Sequence, residues 1–125
     1  MGRSLPGKGE SMREKWNQTT EKQFDSLIQS NEIVLVDFCG EGCYPCAVLS
    51  PVVDRLAEKY ENLVRVAKVD VNREEGLAGR FDIQGIPTVL IFKNGQIIAQ
   101  EVGILEQSIY EDILDANLPE KGQTV

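Results

Sequence analysis

The sequence predicts an α/β fold, a three-layer α/β/α domain in which helices cover both faces of a central mixed sheet. Three observations predict it. Apolar runs of strand length alternate with segments whose apolar residues recur every three to four positions, as in strands interleaved with amphipathic helices. Two of the strand-like runs, Ile33–Phe38 and Thr88–Phe92, are apolar almost throughout, as strands covered on both faces are. Asn94-Gly95 is a two-residue hairpin signal, so the run after it, Gln96–Val102, returns antiparallel.

Taken in order, residues 1–17 are expected to be a flexible leader. They hold glycines and a proline early on, and Met12 and Trp16 alone could anchor a short edge strand. The domain is expected over residues 18–118. Thr20 followed by Gln23 is a capping-box pattern, and Phe24, Leu27 and Ile28 form the apolar face of a helix over Glu21–Ser30. Ile33–Phe38 is the first central strand. A second helix is expected over Val48–Tyr60, with the stripe Leu49, Val52, Val53, Leu56, Ala57 and Tyr60. Pro51 lies inside the stripe and is expected to kink this helix without ending it. Leu63–Val71 alternates in polarity and reads as the next strand, with Lys68 inside it. Arg73–Phe81 is a short helix at most, weakened by Gly76 and Gly79. The hairpin follows, and a last helix over Glu106–Asn117 presents Ile109, Ile113 and Ala116 on one face. Residues 119–125 read as a flexible tail.

Composition narrows the function classes. The chain has 125 residues, enough for one domain with a sizeable core, and 42% of them are hydrophobic. A net charge of −7 argues against nucleic acid and against an anionic membrane surface, because both call for a basic face. There is no histidine, which removes histidine acid–base chemistry and Cys/His zinc sites. Three cysteines are too few for a disulfide framework, and one Cys-x-x-Cys pair makes a poor tetrahedral metal site, so no metal and no other cofactor is expected. The first residues lack the apolar segment of a signal peptide. With so few cysteines, that suggests a reducing, cytoplasmic home, unless a signal has been removed.

The chemistry concentrates in Phe38-Cys39-Gly40-Glu41-Gly42-Cys43-Tyr44-Pro45-Cys46. Two thiols spaced i, i+3 sit where a strand ends and a helix begins. The first turn of a helix has unpaired N–H groups and a partial positive charge, and a thiolate placed there is stabilised. Cys43 is therefore placed to attack a disulfide, and Cys46, one turn on, to close a ring with it. The alternative is that both are small buried apolar groups. Pro45 suits the first turn, where a missing N–H costs little. Asp37 interrupts a central strand, where an unpartnered carboxylate is costly. Either backbone groups near the strand end satisfy it, or it faces the cysteine helix on the same side as Cys39. A buried carboxyl of the latter kind has a raised pKa and exchanges protons near neutral pH. Lys68 either offsets that charge or snorkels to the surface. In Gly85-Ile86-Pro87-Thr88 the proline marks a strand boundary, and a cis Ile86–Pro87 bond is the sharper alternative. Cys39 reads as an inert core thiol or as an accessory thiol able to pair with Cys43 or Cys46.

From about Thr19 to Asn117 the chain resembles the thioredoxin family. The resemblance rests on Val34-Leu35-Val36-Asp37-Phe38, Cys43-Tyr44-Pro45-Cys46, Pro51, Val69-Asp70-Val71-Asn72, Gly85-Ile86-Pro87-Thr88, Phe92-Lys93-Asn94-Gly95 and Val102-Gly103. It implies that Cys43 is the exposed attacking cysteine and Cys46 the buried resolving one, with Asp37 as the acid–base group and Lys68 as its neighbour. It implies that Pro87 is a cis-proline facing the cysteine pair. Ile86 would offer backbone bonds to a substrate chain, with Gly42, Tyr44, Pro45 and Gly103 completing the docking surface. The implied activity is thiol–disulfide exchange with protein disulfides by a monomer, with electrons supplied by a partner reductase or a small thiol. Gly42 and Cys39 stand where the family usually has tryptophans, Tyr44 stands for a glycine and Ala47 for a basic residue. These departures leave a second reading open, a redox-sensing or scaffolding module with little turnover.

Overall fold

The computed structural model describes residues 19–118; the leader, the Met12–Asn17 strand and the tail expected from the sequence lie outside them. The elements are α1 (Glu21–Ser30), β1 (Ile33–Cys39), α2 (Tyr44–Lys59), β2 (Arg65–Asp70), α3 (Glu75–Arg80), β3 (Thr88–Lys93), β4 (Gln96–Val102) and α4 (Gln107–Asn117). Among the described residues the sheet has four strands in the order β2-β1-β3-β4. β1 and β2 are parallel, while β3 is antiparallel to both β1 and β4. The mixed sheet follows from the connections. A helix returns the chain between β1 and β2, whereas β3 and β4 are joined by Asn94 and Gly95, both at positive φ (51° and 84°).

Two apolar clusters, one on each face, make the three layers. On one side Leu49, Val53, Leu56 and Tyr60 of α2 and Tyr110 and Leu114 of α4 pack on Leu35, Val66, Val89 and Ile91. On the other, Phe24 and Ile28 of α1 and Leu77 of α3 pack on Val34, Val36, Phe38, Leu90 and Phe92. Alternate residues of β1 thus go to opposite clusters, which is why that run is apolar throughout. Polar bonds pin α2 to α4: Tyr60 Oη donates to Asp115 Oδ1 at 2.7 Å, and Arg55 Nε to Gln107 Oε1 at 2.7 Å. At the start of α1, Thr20 N–H donates to Gln23 Oε1 at 3.5 Å, as the capping pattern anticipates.

Three expectations change. α2 begins at Tyr44 rather than Val48. Its first turn is exposed apart from Cys46, so the apolar stripe could not reveal it, and Pro45 is already shaped for that turn. The helix continues through Pro51. β2 begins at Arg65 rather than Leu63, because the N–H groups of Leu63 and Val64 both bond to Tyr60 O and close the end of α2. Within β2, Val66, Ala67, Lys68 and Val69 are all buried. The buried face of α4 is Tyr110 and Leu114, flanked by Ile113, while Ile109 and Ala116 are exposed. Tyr110 and Leu114, an i, i+4 pair, are fully buried in the cluster on this face of the sheet.

Candidate functional site

The site forms where three chain segments leave the same end of the sheet. In the register, Asp37 lies beside Lys68 on β2, Phe38 beside Thr88 on β3, and Thr88 beside Val102 on β4. The loop after β1, the Gly85–Pro87 loop before β3 and Gly103 after β4 therefore emerge together. The Gly85–Pro87 loop is held from two sides. Gly103 N–H donates to Pro87 O at 2.8 Å, and Thr88 Oγ1 donates to Gly85 O at 2.6 Å. The Ile86–Pro87 bond is cis. A Cβ on Gly40 would stand 3.1 Å from both Ile86 Cδ1 and Asn72 Nδ2, so a larger residue there would have to push these side chains back, and the cysteine loop lies close against Ile86 and Asn72.

Cys43 is the N-cap of α2, and its sulfur accepts the Cys46 backbone N–H at 3.2 Å. This is one of the orphan donors of a helix start, directed at the sulfur that would carry negative charge. Gly42, at φ +72°, makes the turn that brings the chain to this cap. Cys43 is half-buried and Cys46 is buried. Burial above all, and then its hydrogen bond with Cys43, push the Cys46 thiol up. Tyr44, between the cysteines, is 78% exposed.

Beneath the pair lies a cleft of about 430 Å³ lined by Asp37, Cys39, Gly42, Cys43, Cys46 and Lys68 among others. Asp37 is buried, and that burial raises its carboxyl above the usual range. Its direct partner is Cys39, whose Sγ donates to Asp37 Oδ1 at 3.0 Å. The sequence left Asp37 either satisfied by backbone near the strand end or facing the cysteine helix on the side of Cys39, with Lys68 either offsetting its charge or snorkelling. Lys68 is buried rather than snorkelling, and it lowers the Asp37 carboxyl only through space. Its ammonium donates instead to Ser50 Oγ at 3.2 Å and Asp54 Oδ1 at 3.4 Å.

The expected site residues thus fall into two groups. Asp37, Cys39, Gly42, Cys43, Cys46 and Lys68 share the cleft. Ile86, Pro87 and Gly103 form the neighbouring loops, and Tyr44 and Pro45 face solvent beside them. Ser50 and Asp54 went unread, although Cys46, Ser50 and Asp54 lie at i, i+4 and i+8 on one face of α2. Tyr110 is also new to the site. It is fully buried, its hydroxyl has no hydrogen-bond partner among the described residues, and its pKa is pushed up to about 12 by burial and by the nearby Asp37.

A helix-capping thiol with a second thiol one turn on, above a buried carboxyl in this α/β fold, defines a thiol–disulfide oxidoreductase. The family model described as Thioredoxin matches residues 15–115, and the chain belongs to the thioredoxin family. It is 36% identical over 105 residues to a thioredoxin of Chlorobaculum thiosulfatiphilum, covering 83% of this chain and 97% of that one. Among solved structures, a mutant thioredoxin from Halobacterium salinarum NRC-1 superposes with a TM-score of 0.76 at 30% identity, covering 82% of this chain and 89% of that one. Oxidised mitochondrial thioredoxin 3 from Saccharomyces cerevisiae gives 0.72 at 27% identity, covering 80% and 92%.

Proposed function

We propose that Cys43 is the nucleophile of this oxidoreductase and Cys46 the resolving thiol. Cys43 thiolate attacks a protein disulfide and forms a mixed disulfide, releasing one substrate thiolate. Cys46 then loses its proton towards Asp37 and attacks the Cys43 sulfur, which releases the second substrate thiolate and leaves a Cys43–Cys46 disulfide. Two electrons pass from the dithiol to the substrate. The observation that carries this assignment is the Cys46 N–H directed at the Cys43 sulfur at the head of α2.

The extended substrate chain would lie along Ile86, Pro87 and Gly103, with Gly42, Tyr44 and Pro45 on the opposite bank. Their common position at one end of the sheet supports this. Thioredoxins act on protein disulfides and are reduced by reductases. For this chain the electron donor would be a disulfide reductase or a small thiol, and the working compartment a reducing, cytoplasmic one. The three cysteines support that compartment, since all of them gather at one site instead of stapling distant segments.

The test is catalysed reduction of a protein disulfide. Wild type should turn over well above the free-thiol background, Cys43→Ser should not, and Cys46→Ala should accumulate a mixed disulfide visible by mass. Turnover that survives Cys43→Ser would remove the assignment.

A further inference from the structure

Cys39 has a place in the geometry that the two-thiol scheme leaves unused. Its thiol donates to Asp37 Oδ1 at 3.0 Å, and Cys46 lines the same cleft. All three groups line one cleft. Strand geometry makes this possible, because residues 37 and 39 of β1 project to the same face, towards the first turn of α2. The cleft thus holds the carboxyl and the resolving thiol together with a sulfur that can both accept and donate a proton, already hydrogen-bonded to the carboxyl.

We propose that the Cys39 thiol is the proton relay between Cys46 and Asp37, so that the resolving step runs through three side chains instead of two. This rests on the exchange chemistry proposed above. In the mixed disulfide, Cys46 passes its proton to Cys39 Sγ while Cys39 passes its own to the Asp37 carboxylate. Cys39 is a neutral thiol before and after, Asp37 becomes a carboxylic acid and Cys46 a thiolate. The thiolate attacks the Cys43 sulfur, the Cys43–Cys46 bond forms, and the bond to the substrate sulfur breaks with the electron pair leaving on the substrate. Reduction by the electron donor restores the dithiol, and the Asp37 proton returns to the Cys46 thiolate along the same path.

The surroundings fit a relay better than a third nucleophile. Burial, with Asp37 behind it, pushes the Cys39 thiol far up, so Cys39 keeps its proton and does not attack disulfides. The other groups facing the carboxyl come from β2, α2 and α4: Lys68, Asp54 and Tyr110. Lys68 is engaged with Ser50 and Asp54, and Tyr110 is a weak acid behind the carboxyl. Among the described residues, Cys39 alone donates a hydrogen bond to Asp37.

The experiment separates the two steps with the aromatic disulfide dithiobis(nitrobenzoate), which releases one coloured thiolate on attack by Cys43 and a second on resolution by Cys46. In Cys39→Ala the first phase should match wild type, while the second slows about a hundredfold or more near pH 7, within the range of general acid–base effects. Its pH profile should then follow hydroxide instead of levelling off. Cys39→Ser, whose hydroxyl also accepts and donates, should restore most of the second phase and the wild-type profile. Asp37→Asn should slow the second phase as Cys39→Ala does, and the double variant should be no slower than either alone, as for residues that act as one unit. A wild-type second phase in Cys39→Ala, or a Cys39→Ser variant as slow as Cys39→Ala, would overturn the relay. A wild type that releases only one thiolate would overturn both the relay and the Cys46 assignment.

Discussion

At the scale of single residues, Asp37 is where stability and chemistry pull in opposite directions. Burial raises its carboxyl, so between the ordinary value of about 3.9 and the raised one the folded state holds a proton that the unfolded chain has released. Stability therefore falls as pH rises through that window, and the full penalty, about 1.4 kcal/mol for each pKa unit, remains above it. Asp37→Asn keeps an acceptor for Cys39 and removes the charge. Denaturant titrations should show it more stable than wild type at pH 7 and equal to it below about pH 3.9. Equal stability at both would place the carboxylate in a compensated setting. Asp37 and the Cys43–Cys46 pair were legible because their oddity is local: a carboxylate in an apolar run and two thiols at helical spacing. The Cys39 thiol bond was not, because strand periodicity tells which side a residue faces and not where its sulfur points. Ser50 and Asp54 were hidden for a similar reason, since their partner Lys68 lies on another element and meets them only once α2 has docked.

At the scale of elements, α4 shows how a one-residue error in reading a helix face arises. Ile109, Ile113 and Ala116 make a plausible stripe, yet the sheet is covered by Tyr110 and Leu114, with Ile113 at the margin. Sequence hydropathy undervalues tyrosine, whose ring here fills the core while its hydroxyl finds no partner among the described residues. Truncating each candidate separates the two faces. Leu114→Ala should cost about 2–5 kcal/mol in chemical denaturation, as a cavity in a packed core does, whereas Ile109→Ala should stay within about 1 kcal/mol. Comparable losses at both positions would mean that α4 rolls on the sheet. The strands were easier to read, since β1 and β3 are buried on both faces and carry no polar face to misassign.

At the scale of the whole molecule, the three layers and the antiparallel hairpin were legible in outline from the order of the elements and one turn. The strand order β2-β1-β3-β4 was not read in advance, because it depends on which side each connection takes. That order nonetheless makes the site. With β1 central, its end lies between the ends of its neighbours, so a loop carrying two cysteines is flanked by the buried Lys68 on β2 and the Gly85–Pro87 loop before β3. The cleft is thus a product of topology, assembled from residues as far apart in sequence as Asp37 and Arg73.

One irregularity of the sheet has a consequence for how copies of this chain meet. Ile91 pairs with Ala99 and Phe92 with Ile97, which leaves Ile98 as an extra residue on β4. The bulge breaks the alternation there, and both Ile97 (46%) and Ile98 (38%) reach solvent. β4 is also the outer strand on its side of the described sheet, with backbone groups that a second chain could use as a template. A straight edge carrying two isoleucines would invite such pairing and would propagate from copy to copy. A bulged edge twists away and offers no continuous ladder to add to. Deleting Ile98 should restore the ladder and turn the edge adhesive, seen as concentration-dependent growth in sedimentation velocity, while wild type sediments as one small species at the same concentrations. With that outcome the extra isoleucine is a guard, giving up regular pairing at one point of the sheet so that the strand is not copied by its neighbour.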